Sequence, residues 1–214
     1  MLGTLINGSS DWYLVAISYI LVVVLSLSLH EFAHAFAAYK CGDTTPKVQG
    51  RLSLNPFNHI DPLGFICCAL FKFGWAKPVN INPNNFRNVK RGLAWTSVAG
   101  VLMNLILGFI GCGAWKIVTI LPFNNGFMDF LAIFFSSMFT INIALAVFNF
   151  LPIYPLDGFR FVSTFTKYNN GYVNFMYRYG TLVLLGVLLI FDNILLLLIS
   201  YIEVPIILFW NLIF

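Results

Sequence analysis

The sequence predicts an all-α, polytopic membrane protein with about four to five transmembrane helices. Three observations predict it. Of 214 residues, 59% are hydrophobic and only 9% are charged, against roughly 25% charged in a soluble domain. The mean hydropathy is +0.84. Residues 12–29, WYLVAISYILVVVLSLSL, carry no charge, which approaches the ~20 apolar residues that cross a bilayer as a helix. One integral-membrane domain over 1–214 is expected, since the length leaves little room for a separate soluble module.

The elements follow in order. The first span starts at residue 12 and runs to about residue 39. Residues 40–92 change character, with Pro46, Pro56, Pro62, Pro78 and Pro83 among several Gly and Asn. Loops and short strands are expected there. The apolar segment GFICCALF (64–71) is too short to span and suits a re-entrant piece. Residues 93–121 form a second span, whose Gly100, Gly108, Gly111 and Gly113 allow close helix approach. Residues 127–151 form a third, stopped by Pro152 and Pro155, and residues 172–191 a fourth. Residues 194–214 contain Glu203 and Pro205, and read either as a fifth span or as a helix broken near Pro205.

Charge sets the expected orientation. Eight of the twelve Lys/Arg lie between residues 40 and 91: Lys40, Lys47, Arg51, Lys72, Lys77, Arg87, Lys90 and Arg91. Arg160, Lys167 and Arg178 follow the third span. Basic loops stay cytoplasmic, so the N-terminus is expected outside the cell membrane. The ends of spans one and three then share the cytoplasmic side. Basic residues grouped beside a membrane do not suggest nucleic-acid binding. Residues 1–11 hold no Lys or Arg, so a cleaved signal peptide is not expected. Cys41, Cys67, Cys68 and Cys112 form no C-x-x-C pair and read as small apolar fillers kept reduced.

Into the first span the sequence places His30, Glu31 and His34, as HEFAH. Residues i and i+4 share a helix face, so two imidazoles can grip one metal ion. Zinc suits two His nitrogens plus a carboxylate oxygen. Glu31, beside that face, can take a proton from an attacking water and return it to a leaving amine. A chance H-E-x-x-H on a helix surface is the alternative, but ionisable groups in an apolar run are functional by default. Asp157, in FNFLPIYPLDGFRF (148–161), is the acidic candidate for a third ligand, near a break made by two prolines. Gly158 reads as permitting a sharp turn there. A cap for a following helix is the alternative reading of Asp157.

Together these segments resemble the site-2 protease family of intramembrane zinc metalloproteases. The likeness is carried by HEFAH, RLSLNPFNHIDPLG (51–64), GWAKPVNINPNNFRN (74–88), AGVLMN (99–104) and FNFLPIYPLDGFR (148–160). It implies a three-helix catalytic core, with one Zn2+ held by His30, His34 and Asp157 and with Glu31 as the base. It also implies cleavage of single-span membrane proteins near the cytoplasmic face, as in regulated intramembrane proteolysis. The absence of PDZ and CBS segments resembles the compact bacterial or archaeal members, and leaves regulation to the substrate or a membrane partner. Where the family usually has A-G-P, this chain has Val101, which bears on a kink in the second span.

Several residues carry secondary expectations. Asn149 either caps a broken helix end or donates to the scissile carbonyl; the family's F-N-x-x-P pattern favours the latter. Asn82, Asn84 and Asn85 lie in a loop suited to gripping an unwound substrate by edge pairing. His59 either lines the entrance or is bonded locally. Asn104 and Asn142 suit helix packing, or a water path. A metal-ion transporter predicts a line of ligands and inverted repeats, and neither is visible. A silent client-binding homologue would be expected to lack Glu31 or a ligand, and all are present.

Overall fold

The computed structural model describes residues 12–64, 76–122, 125–167 and 170–214. Seven α-helices order the described chain: α1 (Trp12–Lys40), α2 (Thr45–Val48), α3 (Val89–Ile120), α4 (Gly126–Phe150), α5 (Asp157–Phe165), α6 (Gly171–Ile190) and α7 (Asp192–Asn211). Five of them, α1, α3, α4, α6 and α7, are long and apolar enough to span a membrane. The chain is therefore a polytopic all-α membrane protein, with the upper count of expected spans. Asparagines start three of the spans. Asn88 accepts from the Arg91 amide, Asn125 from Phe127 and Met128, and Asn170 from Tyr172. Each satisfies amides that the helix itself leaves open.

Helices α1, α3 and α4 form the core. Val22, Leu107 and Met138 meet at their common seam. Cys112, Phe139, Ile143 and Val147 form a second cluster, against which Ile202, Ile206 and Trp210 of α7 pack. The Cys112 filler expectation holds, while Cys67 and Cys68 lie outside the described residues. Glycine sets the α3–α4 distance: a Cβ on Gly111 would stand 2.9 Å from the Phe139 backbone nitrogen. Asn142 Nδ2 donates to Ser26 Oγ at 2.8 Å, so this asparagine ties α4 to α1. Such interhelical bonds contribute about 0.6 kcal/mol in a membrane. Val101 sits inside an unbroken α3. Pro205 likewise lies within α7 rather than ending it; transmembrane helices tolerate an internal proline where neighbours re-satisfy the freed carbonyl.

The 40–92 segment corrects the expectation of short strands. Among the described residues it forms a single antiparallel bridge, Ile60 to Ala76, and two 3-10 turns at Pro56–Asn58 and Pro83–Asn85. Prolines 56, 78 and 83 have no N–H to give to a ladder. Side chains join the few backbone bonds that hold the segment. Arg51 donates to the carbonyls of Asn58 and Lys77. Asp43, fully buried, accepts from the Thr45 and Asn82 amides and from Asn85 Nδ2. Burial alone would raise the Asp43 carboxyl; these hydrogen bonds outweigh it and hold the group below the usual carboxylate value. The expected re-entrant piece lies, from residue 65 onward, outside the described residues.

Candidate metal centre

Helix α1 presents His30 and His34 one turn apart, and α5 brings Asp157 to them. His30 Nε2 lies 3.1 Å and His34 Nε2 lies 3.0 Å from Asp157 Oδ2. The two Nε2 atoms are 3.0 Å apart. All three residues are buried. His34 Nδ1 donates to the Thr96 carbonyl at 2.6 Å. That bond leaves the lone pair on Nε2, aimed at the carboxylate.

This donor set fits a divalent cation. Electron-rich atoms crowded in a buried space repel unless a positive charge lies between them. Donors of a tetrahedral zinc, each 2.0–2.2 Å from the ion, stand roughly 3.3 Å from one another, close to the spacing found. Asp157 Oδ2 is moreover a buried oxygen without a hydrogen-bond donor.

Two glycines make the arrangement possible. A Cβ on Gly100 would lie 2.5 Å from both His30 Cε1 and His34 Nε2, so α3 must be bare where it passes the imidazoles. A Cβ on Gly158 would lie 2.2 Å from the Phe150 carbonyl oxygen. The sharp turn expected at Gly158 is not its role. Gly158 is helical, and positive φ occurs at Gly42 and Gly50. It is needed because α5 starts hard against the end of α4. The link is made by the turn over 151–156, where Ile153 N donates to Leu151 O and Leu156 N to Ile153 O. Asp157 opens α5, and no side chain caps that helix start.

A cleft of about 450 Å³ lies over the triad. Glu31 lines it and accepts from the Val79 amide at 3.1 Å. Asn149 also lines it, with Nδ2 donating to Leu145 O at 3.0 Å. Among the described residues, one N–H and the oxygen of that amide are left for another partner. Leu27, Leu145, Phe148 and Leu184 supply apolar walls, and Pro78, Val79 and Ile81 a rim. Arg160 reaches in from α5, with Nη1 at 3.9 Å from Asp157 Oδ1. Other expected residues lie elsewhere. Asn82 and Asn85 are exposed and tied to Asp43, Asn84 is exposed beside them, and none of the three lines the cleft. His59 is fully buried and bonded through Nε2 to the Ser53 carbonyl at 2.7 Å. Thr96 and Val79 contribute through their backbones, for which a sequence holds no side-chain signal.

Two histidines of an apolar span, a buried aspartate brought to them by α5 and a nearby glutamate make a candidate metal centre of the metalloprotease class. The comparisons agree. The chain is 39% identical over 150 residues to the Bacillus subtilis protein named "Putative zinc metalloprotease YwhC", covering 67% of each. It is 30% identical over 153 residues to "Putative zinc metalloprotease Rip2" of Mycolicibacterium smegmatis, covering 66% of this chain and 55% of that protein. Rip2 of Mycobacterium tuberculosis matches at 30% over 147 residues, 64% of this chain and 52% of its own length. The chain thus spans about half the length of the Rip2 proteins. No family model and no solved structure matches. The chain belongs to the site-2 protease family of zinc metalloproteases.

Proposed function

We propose that this protein is an intramembrane endopeptidase that hydrolyses peptide bonds in or near the transmembrane segment of single-span membrane proteins. The observation that carries the proposal is the convergence of His30 Nε2, His34 Nε2 and Asp157 Oδ2 beneath a cleft that also holds Glu31. His30, His34 and Asp157 would hold one zinc ion, which when bound polarises the scissile carbonyl and acidifies the attacking water. The Thr96 carbonyl fixes the His34 tautomer. Glu31 takes the proton from the attacking water and passes it to the leaving amine. The Val79 amide holds Glu31 in the cleft. The apolar walls receive the side chains of an unwound substrate strand and exclude bulk water.

Purified protein in liposomes, given single-span candidates, tests this. Cleavage should stop on chelation and return with stoichiometric zinc. Chelator-resistant cleavage would remove the metal from the mechanism.

Asn149 is proposed to donate its second N–H to the oxygen that becomes negative during attack. Asn149→Ala should keep zinc and fold yet cleave about 10²–10³-fold more slowly, the usual loss for one such donor. Wild-type turnover would leave Asn149 as a brace on the Leu145 carbonyl alone.

The grouped basic residues of 40–91 favour a cytoplasmic loop and a cytoplasmic active-site face. A single cysteine placed at the exposed Asn84 should react with an impermeant thiol reagent from the cytoplasmic side alone. Reaction from outside reverses the orientation.

A further inference from the structure

We propose that α3 and α5 form a binding site for one anionic phospholipid, with its phosphate at Lys90 and Arg91 and an acyl chain running down α3. Two adjoining grooves carry the proposal. The first, about 420 Å³, is lined by Asn88, Lys90, Arg91, Trp95 and, from α5, Phe161 and Phe165. The second, about 750 Å³, continues along α3 past Val101, Leu102 and Leu105, with Phe150 of α4 and Tyr201 of α7 on its other sides. Val98 and Phe161 line both, so the two grooves are continuous.

Charge and length both select the occupant. The head of the groove carries cations of one sign. Lys90 and Arg91 sit in the first turn of α3, where there is no acidic residue. Neither basic side chain has a carboxylate partner among the described residues. Cations at a helix start oppose the helix dipole, so an anion there is favourable. Lys90 Nζ stands 5.1 Å over the Phe165 ring, which turns its ammonium towards the groove rather than away. Below the head, the lining is apolar from Ala94 to Leu105, a helix length of about 16 Å that suits an acyl chain and no soluble anion. Trp95, 61% exposed, stands between the two regions, where membrane proteins place aromatic residues at headgroup depth. Phosphate above and hydrocarbon below is the chemistry of a phospholipid. The same lipid would press α5 onto α3, and α5 begins at Asp157.

Native mass spectrometry on the intact zinc-loaded protein tests the site, with phosphatidylglycerol and phosphatidylcholine of matched chains as probes. The wild type should retain one phosphatidylglycerol about thirtyfold better than phosphatidylcholine, in keeping with two basic contacts at a membrane surface. Lys90→Gln with Arg91→Gln should erase that preference. Lys40→Gln with Lys47→Gln, outside both grooves, should leave it intact. Val98→Trp should displace the chain and lower retention of both lipids. Melting temperature and zinc content of each variant report folding. Equal retention of the two lipids by the wild type overturns the proposal. So does an equal loss in the Lys40/Lys47 pair, which would show diffuse charge. Displacement of the lipid by millimolar inorganic phosphate also overturns it, by showing a free-anion site.

Discussion

Glu31→Gln should abolish cleavage and leave zinc bound. Glutamine has nearly the same shape, and its oxygen can still accept from the Val79 amide 3.1 Å from the native carboxylate. The loop rim and the cleft should therefore stay in place. What is lost is the ability to take a proton. A positioned acid-base group contributes about 10²–10⁴-fold, and the fall in turnover should reach at least that range. Zinc content should not change, because the three mutually close ligand atoms belong to His30, His34 and Asp157. Metal analysis and a cleavage assay on one preparation separate the two effects. Zinc loss would make Glu31 a ligand; near-normal turnover would move the base elsewhere.

What was legible in the sequence depended on how local the physics was. Four spans were visible because length and hydropathy are properties of single segments, whereas Pro205 left the fifth open between a span and a broken helix. His30 and His34 were visible because i, i+4 spacing is itself geometry. Asp157 needed the chemistry of a zinc site to single it out, since it lies 123 positions after His34. The loops of 40–92 were legible, but short strands were expected where order comes from pairs far apart in sequence. Asp43 reaches Asn82 and Asn85 across about forty positions, and Arg51 reaches Lys77. The asparagines of the 82–85 turn were expected to face the substrate. Asn82 and Asn85 are drawn off by Asp43, and Pro78, Val79 and Ile81 line the cleft instead. Gly158 was noticed for the wrong reason, because a turn can be read locally while the proximity of Phe150 cannot.

Asp157→Ala should release zinc. The change deletes one of the three close ligand atoms and leaves His30 and His34, which share a single helix. Replacing even an outer partner of a ligand costs about 10–100-fold in affinity, so loss of the carboxylate itself should exceed that. Asp157 has a second role to separate, since it opens α5, where a negative charge favours the helix dipole. That effect is worth about 0.3–1 kcal/mol at most sites, too little to unfold a helix packed against α3 and α4. Asp157→Asn discriminates further. The amide keeps the shape and an oxygen but loses the charge, so zinc affinity should fall while α5 stays helical. Zinc titration with a competing chelator, alongside circular dichroism, reads both. Full zinc occupancy in Asp157→Ala, with helicity unchanged, would place the third ligand elsewhere and leave Asp157 as a helix-start charge beside two histidines.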